Sequence, residues 1–185
     1  MITIVSAHPW RGSFNHAILN AITRKLDDEE LDYNVIDLPS DGFNPVMTAE
    51  DLSLYSRGES DDRLVKKYRH QLMHTDEIVF LFPIWWGMIP AILKGFFDKV
   101  LLKGSAFSYS SSGEMIPGFR ITRTLLISTS QGESEIYRPY IEGYLIPYLL
   151  NSVGMTGAEW YNCERTAHGP AENRENFLRQ VTSLI

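Results

Sequence analysis

Short apolar runs alternate with helix-forming segments along this chain, and the alternation restricts the possible folds more than any other feature. Five runs rich in apolar and β-branched residues predict strands at Ile2–Ser6, Tyr33–Leu38, Ile78–Phe82, Arg120–Ser128 and Gly157–Cys163. The connections between them have the length of helical crossovers, so neighbouring strands are expected to be parallel. The sequence therefore predicts an α/β fold with a doubly wound, five-stranded parallel sheet and helices on both faces.

Right-handed crossovers leave two common strand orders for such a sheet, and five strands favour the flavodoxin-like order 2-1-3-4-5. Helical periodicity marks the segments Phe14–Leu26, Leu64–His74, Ala91–Leu102, Ser134–Val153 and Ala171–Leu184. Pro139 and Pro147 are expected to kink or divide the fourth of these helices. A polar stretch over 39–62 is expected to cross the surface, with one helical turn near Ala49–Tyr55.

Length and composition fit a single domain over residues 1–185 and argue against several classes of function. A formal charge of −6 disfavours a nucleic-acid or anionic-membrane surface. No apolar run approaches the roughly 20 residues of a membrane-spanning helix, and the N-terminus lacks the features of a signal peptide. We therefore expect a cytoplasmic protein without membrane insertion. The single cysteine permits no intramolecular disulfide, and the histidines lack metal-ligand spacing, so no metal is expected.

The loop after the first strand has the features of a phosphate site. Gly12 permits a tight turn, Ser13 can cap the following helix, and the amides of Phe14 and Asn15 lie in its unbonded first turn. Such a helix N-terminus attracts a phosphate through its free donors and its dipole. The alternative is that Ser13 is an N-cap and nothing more.

An aromatic loop follows the third strand. Pro83 and Pro90 flank two tryptophans, Trp85 and Trp86, whereas loops at the surface are normally polar. Ligands of open α/β sheets bind outside the carboxyl ends of the strands, so flat rings at this edge favour a planar ligand. The alternative is that the tryptophans belong to the core or to an interface.

The loop after the fourth strand, Ser128–Tyr137, is rich in small and hydroxyl-bearing residues that suit the polar edge of a ring. Its alternative is an ordinary connection in which Ser134 caps a helix. In the predicted strand order the three loops share one rim of the sheet. A phosphate site, an aromatic wall and a hydrogen-bonding edge together match the needs of a flavin. Neither GxGxxG nor a Walker A motif follows the first strand.

The segment Phe82–Val100, F-P-I-W-W-G-M-I-P-A-I-L-K-G-F-F-D-K-V, resembles a motif of the flavin-dependent NAD(P)H:quinone oxidoreductases of the DT-diaphorase type. That family and its smaller bacterial relatives carry F-P-L-x-W-x-x-x-P-A-I-L-K-G-W-x-x-R-V. The S-F-N at Ser13–Asn15, with His8 five residues before it, is similar to the phosphate loop of the family. The resemblance covers nearly the whole chain.

The resemblance implies a flavin site and a homodimer with shared active sites. The matching flavin contacts are His8, Ser13, Phe14 and Asn15 at the phosphate, Pro83, Ile84, Trp85 and Trp86 at the isoalloxazine, and Thr129, Ser130, Gln131 and Gly132 at its polar edge. Tyr137 matches a tyrosine that stabilises charge during hydride transfer. Phe107 and Tyr109 match two tyrosines that close the substrate pocket from the partner subunit.

Three positions depart from the pattern of the family. Gln131 stands where the family has a glycine, Gly143 where its longer members have a histidine, and Phe107 where it has a tyrosine. Asp98 and Arg174 match an acidic residue near the ribose and an arginine near the adenine of FAD-binding members. The arginine favours FAD, while the shorter relatives that carry FMN keep FMN open.

The resemblance implies an enzyme that takes hydride from NAD(P)H through the flavin to a quinone or similar planar acceptor by a ping-pong mechanism. Two alternatives stay open at the level of sequence. One is a flavodoxin-like regulatory or redox-sensing subunit, such as the ancillary proteins of bacterial potassium efflux systems. The other is an azo- or nitroreductase, which shares the first half-reaction and differs in the acceptor.

Overall fold

The computed structural model of the chain describes residues 1–185. Its seven β-strands are Ile2–Ser6 (β1), Tyr33–Asp37 (β2), Glu77–Pro83 (β3), Phe107–Tyr109 (β4), Met115–Pro117 (β5), Arg123–Thr129 (β6) and Ala158–Cys163 (β7). Its six α-helices are Phe14–Asp28 (α1), Ala49–Tyr55 (α2), Arg63–Met73 (α3), Ala91–Val100 (α4), Ser134–Tyr140 (α5) and Ala171–Ser183 (α6). A π-helical segment, Ile141–Leu150, and a 3-10 turn, Asn151–Val153, follow α5.

Five strands form one parallel sheet in the order β2-β1-β3-β6-β7. Because β6 and β7 are the fourth and fifth predicted strands, the predicted order 2-1-3-4-5 is confirmed. The central strands β1, β3 and β6 are buried over almost their whole length. Continuous apolar runs suit that position, since both faces of a central parallel strand are covered by helices.

Two apolar cores cover the opposite faces of the sheet, and strand β3 contributes to both. Phe80 and Phe82 belong to the larger core, whereas Val79 and Leu81 belong to the smaller one that packs against α1 and α6. Successive side chains of a strand point to opposite faces, so this alternation divides the strand between the two cores. The sheet is therefore held rigidly between two packed layers, and its edge is a stable base for loops.

A buried lysine attaches the excursion after β2 to helix α4. The ammonium of Lys99 lies 3.2 Å from the carbonyl oxygen of Asn44, 3.2 Å from a carboxylate oxygen of Asp62 and 3.6 Å from one of Asp51. Lys99 is only 5% exposed, so these partners offset the cost of burying its charge. The predicted helical turn near Ala49–Tyr55 is confirmed as α2, with Thr48 and Asp51 forming a capping box.

The structure contains one element that the sequence did not predict, an antiparallel hairpin of β4 and β5 between α4 and β6. The helix over 134–153 is divided, since its hydrogen-bonding pattern changes at Ile141 and again at Asn151, but Pro139 lies inside α5 and Pro147 inside the π-helical segment rather than at these boundaries. No helix combines the length and the apolar character that crossing a membrane requires. The single domain and the cytoplasmic location stay predictions.

Candidate cofactor site

A cleft of about 530 Å³ opens at the carboxyl edge of β1, β3 and β6. This is within the range of about 300–1,000 Å³ that small-molecule sites occupy. Its lining comes from four loops and comprises His8, Trp10, Gly12, Ser13, Phe14, Asn15, Ala17, Pro83, Ile84, Trp85, Thr129, Ser130, Gln131, Thr166, Ala167 and Arg174. The three loops singled out in the sequence therefore converge on one cleft.

The N-terminus of α1 presents free donors to this cleft. The hydroxyl oxygen of Ser13 accepts a hydrogen bond of 3.2 Å from the amide of His16, so Ser13 is an N-cap. The amides of Phe14 and Asn15 make no hydrogen bond within the chain. The capping role and the binding role are thus compatible, since capping Ser13 leaves two amides at the positive end of the helix dipole.

Asn15 carries a buried polar atom that lacks a partner. Its side chain is 2% exposed, its amide nitrogen donates to the hydroxyl of Thr129 at 2.6 Å, and its amide oxygen accepts nothing. Exchanging the nitrogen and oxygen of the amide leaves the nitrogen free instead, because Thr129 can also donate. In either orientation the cleft contains one unmet hydrogen-bonding group, which fits a phosphorylated ligand with hydroxyls such as a flavin nucleotide.

His8 lies beside the same helix N-terminus as a neutral imidazole. Burial lowers the pKa of His8, and the amide of Trp10 donates to its Nδ1 at 3.1 Å. The proton of the neutral ring therefore lies on Nε2, which is a donor. The ring also meets Trp85 edge-on, with centroids 5.8 Å apart, so His8 connects the phosphate loop to the aromatic loop.

The two tryptophans of the aromatic loop have different positions. Trp85 and Met88 exchange backbone hydrogen bonds of 3.0 and 3.2 Å around a tight turn in which Trp86 has φ 52° and Gly87 has φ 81°. Positive φ at both central residues is the mark of a type I′ turn. Trp85 lines the cleft with Pro83 and Ile84, whereas Trp86 is fully exposed and lies outside the lining.

The loop after β6 forms the opposite wall. The carbonyl oxygen of Thr129 accepts from the amide of Ile84 at 2.8 Å, which joins this wall to the aromatic loop. Thr129 and Ser130 are buried, and the amides of Gln131 and Gly132 have no acceptor within the chain. This edge of the cleft therefore offers donors.

Tyr137 packs directly on Gly132. A Cβ atom at Gly132 would lie 2.3 Å from the hydroxyl oxygen of Tyr137, so the glycine is required for this contact. The hydroxyl makes no hydrogen bond within the chain, and Tyr137 does not line the cleft as defined above. The structure thus places the hydroxyl of Tyr137 beside Gly132 at the predicted polar edge.

The two predicted pocket-closing residues, Phe107 and Tyr109, lie on the hairpin and outside the cleft of their own chain. Their rings pack edge to face with centroids 5.6 Å apart, and Tyr109 is 55% exposed. Asp98 also lies outside the cleft, where it pairs with Lys94 at 2.5 Å on the exposed face of α4. The hairpin residues of one chain therefore do not line the cleft of that chain.

The fourth loop, between β7 and α6, contributes residues that the sequence reasoning missed. Thr166 and Ala167 line the cleft together with Arg174, whose guanidinium donates to the carbonyl oxygen of Thr166 at 2.8 Å. Trp10 was missed in the first loop. The rule that ligands bind beyond the carboxyl ends of neighbouring strands indicates the loop after the fifth strand, because β7 pairs with β6.

Comparisons with known proteins agree with this fold. A family model described as the flavodoxin-like fold matches residues 1–184. YcaK of Escherichia coli, named an uncharacterized NAD(P)H oxidoreductase, is 31% identical over 191 residues, which cover 100% of this chain and 94% of YcaK.

One further curated protein and one solved structure that are similar to this chain carry names of quinone reductases. NAD(P)H dehydrogenase (quinone) 1 of Rattus norvegicus is 30% identical over 151 residues, which cover 72% of this chain and 54% of the rat protein. The chain thus spans about half the length of that relative. The solved NAD(P)H:quinone oxidoreductase of Methanothermobacter marburgensis has a TM-score of 0.85 at 24% identity, covering 98% of this chain and 95% of that one, and shows a common fold.

Proposed function

The chain belongs to the flavodoxin-like family that contains NAD(P)H oxidoreductases, and on that premise we propose that it reduces a quinone or a similar planar acceptor with NAD(P)H. One observation carries the proposal: free helix amides, an aromatic wall and a donor edge meet in a single cleft. A bound flavin supplies the hydride chemistry, and the protein supplies binding, orientation and electrostatics.

The first loop holds the phosphate. The free amides of Phe14 and Asn15 donate to phosphate oxygens at the positive end of α1, and Nε2 of His8 adds a third donor. Hydrogen bonds to a charged acceptor contribute more than neutral ones, about 1.5–3 kcal/mol each. This end of the cleft therefore provides most of the binding energy and fixes the position of the ligand.

The other two loops orient the ring system. Ile84 and Trp85 form the apolar wall on which the isoalloxazine packs, and Trp86 extends this surface towards the acceptor. The amides of Gln131 and Gly132 donate to the polar edge of the ring. Negative charge develops at that edge on reduction, so donors placed there favour the reduced state.

Tyr137 is the catalytic residue of this proposal. Its free hydroxyl lies against Gly132, and a hydroxyl at the donor edge stabilises negative charge by donating a hydrogen bond. Tyr137→Phe is expected to lower kcat about tenfold and to leave flavin affinity within twofold, because one donor that acts in the charged state is lost. Stopped-flow reduction by NAD(P)H measures the step directly. An unchanged rate of reduction contradicts the role of Tyr137.

We propose FAD as the flavin. Arg174 lines the cleft and is held by its hydrogen bond to Thr166, and its guanidinium can stack on or pair with an adenine nucleotide. Asp98 gives no support, since it lies outside the cleft. Releasing the bound flavin by heat and measuring its mass distinguishes FAD from FMN.

We further propose a homodimer in which each hairpin closes the cleft of the partner subunit. Tyr144 and Tyr148 are exposed, and their ring centroids lie 5.5 Å apart. Trp86 and Tyr109 add further exposed aromatic surface. Aromatic residues are enriched at interfaces. Light scattering tests the dimer, and Tyr109→Ala is expected to raise the KM for the acceptor without changing flavin affinity.

Steady-state oxidation of NAD(P)H, with and without a quinone, tests the activity. An enzyme of this class should turn over at or above about 1 s⁻¹ with quinone present, and initial rates at several quinone concentrations should give the parallel lines of a ping-pong mechanism. A flavin-loaded protein with turnover far below that value contradicts the enzymatic function and favours the regulatory alternative.

A further inference from the structure

A one-way chain of hydrogen bonds runs behind the donor edge of the cleft, from β7 to the loop after β6. The indole nitrogen of Trp160 donates to the hydroxyl oxygen of Ser128 at 2.8 Å, and that hydroxyl donates to the amide oxygen of Asn162 at 2.8 Å. The amide nitrogen of Asn162 donates to the hydroxyl oxygen of Ser130 at 2.9 Å, and Ser130 donates to the carbonyl oxygen of Gly132 at 2.7 Å.

The direction of this chain is fixed by its first member. An indole nitrogen can only donate, so the oxygen of Ser128 accepts from Trp160 and its one proton goes to Asn162. This sets which end of the Asn162 amide is oxygen, and the nitrogen end then faces Ser130. The proton of Ser130 is left for Gly132. Ser128 and Ser130 are both almost fully buried, so water does not compete for these positions.

This chain of hydrogen bonds determines which polar groups of the loop after β6 stay free for a ligand. The carbonyl oxygens of Ser130 and Gly132 are both engaged, the first by the amide of Thr166 at 3.0 Å and the second by Ser130. The amides of Gln131 and Gly132 have no partner. The loop therefore withholds these two carbonyl oxygens and leaves two amides for a ligand.

We propose that Asn162 is a positioning residue of the flavin site, which holds Gly132 so that the loop stabilises the reduced flavin more than the oxidised flavin. This inference rests on the proposed function. Asn162 does not line the cleft and contacts the ligand only through Ser130 and Gly132. Without it Ser130 loses the donor that orients its hydroxyl, and the carbonyl of Gly132 is free to turn towards the ring. A carbonyl oxygen there repels the negative charge of the reduced ring.

The test compares the dissociation constants of oxidised and reduced flavin for Asn162→Ala. Oxidised flavin is expected to bind within about threefold of wild type, whereas reduced flavin loses about tenfold, the effect of one hydrogen bond to an anion. The midpoint potential of the bound flavin becomes more negative accordingly. A loss of packing alone weakens both states equally and leaves the potential unchanged.

Two further variants isolate the chain of hydrogen bonds. Ser128→Ala breaks it upstream without touching the cleft and should shift the potential in the same direction. Ser134→Ala is the matched control, because Ser134 accepts from the other proton of the Asn162 amide at 3.1 Å but does not lead to Gly132. Flavin bound to Ser134→Ala should keep the midpoint potential that it has in wild type.

The outcomes separate the two proposals. A wild-type protein that binds neither FMN nor FAD overturns the proposed function and this inference with it. If the wild-type protein binds flavin but the midpoint potential is unchanged in Asn162→Ala or Ser128→Ala, only the role of Asn162 is overturned. If Asn162→Ala does not fold, Ser128→Ala decides the question by the same measurement.

Discussion

At the edge of the sheet where the strands begin, the polar groups of Met1, Thr3, Thr75 and Asp76 pair with one another, whereas at the opposite edge several donors have no partner. The N-terminal ammonium lies 2.6 Å from a carboxylate oxygen of Asp76, and the amide of Asp76 donates to the carbonyl of Met1 at 2.9 Å. The buried hydroxyls of Thr3 and Thr75 share a hydrogen bond of 2.6 Å. The amide of Thr122 donates to the carbonyl of Asp76 at 3.0 Å.

The edge where the strands end, the carboxyl edge, instead has several hydrogen-bond donors without partners. The amides of Phe14, Asn15, Gln131 and Gly132 and the hydroxyl of Tyr137 all lack an acceptor within the chain. Polar groups in folded proteins are usually paired, so unpaired donors gathered around one cleft indicate a ligand. One edge therefore contributes to stability and the other to binding. Substitutions at the two edges should therefore have separable effects.

The largest effect is expected at the phosphate loop. Asn15→Leu removes the buried side-chain amide that faces the cleft, so flavin affinity should fall about 100-fold, because the polar group of the ligand that met this amide is then buried without a partner. The free energy of unfolding of the apoprotein should fall by only about 1 kcal/mol, because the hydroxyl of Thr129 loses its partner. Titrating flavin fluorescence and denaturing the apoprotein in urea measure the two quantities.

The next largest effect is expected at the amino edge and concerns stability alone. Thr75→Val leaves the hydroxyl of Thr3 buried without a partner, which should lower the free energy of unfolding by about 2 kcal/mol. Flavin affinity should stay within twofold of wild type. Urea denaturation and flavin titration of this variant form the matched control for Asn15→Leu. If Thr75→Val weakens flavin binding as much as Asn15→Leu does, the division between the edges is wrong.

A smaller effect should distinguish the two tryptophans of the aromatic loop. Trp85→Ala removes a ring that lines the cleft and contacts His8, so flavin affinity should fall about fivefold, as for the loss of one aromatic contact. Trp86→Ala should leave flavin affinity and stability unchanged but raise the KM for a quinone, because its ring is fully exposed. Equal losses of flavin affinity in the two variants contradict this assignment.

The smallest effect concerns pH. The hydroxyl and the backbone amide of Ser134 donate to the carboxylate of Glu164 and hold the pKa of Glu164 below its ordinary value. A lowered pKa in the folded state gives stability that is present above the unfolded pKa of about 4.3 and is lost as the pH falls through the folded pKa. Glu164→Gln should thus be less stable than wild type at pH 7 by less than about 1 kcal/mol.

Urea denaturation of both proteins between pH 3 and pH 7 checks that expectation. The difference should shrink as the pH falls below about 4, because both side chains are then neutral. A difference that is constant across this range shows that Glu164 contributes nothing through its charge.

Most of the fold followed from the periodicity of apolar residues, and the exceptions have physical causes. The central strands carry long apolar runs because both faces are buried, so their order and direction were predictable. The hairpin strands Phe107–Tyr109 and Met115–Pro117 are three residues each and mostly exposed. Such short strands have neither a buried face nor a measurable alternation, so nothing in the sequence marked them.

Site residues were predictable where local sequence determines the backbone conformation. They were not predictable where tertiary packing determines the position of the side chain. Ser13 and the donors after it were found from helix capping, which depends on local sequence. Thr166 reaches the cleft only because β7 pairs with β6, and Trp86 points outward only because it adopts a positive φ in a tight turn. The role of each predicted flavin contact stays a prediction.

The most direct measurement of the central claim is an isotherm for the binding of FMN and of FAD to the apoprotein, repeated with Asn15→Leu and Thr75→Val. One flavin should bind per chain, binding should be about 100-fold weaker in Asn15→Leu, and Thr75→Val should bind like wild type. An apoprotein that binds neither flavin, or a loss of affinity that is equal at both edges, would contradict it.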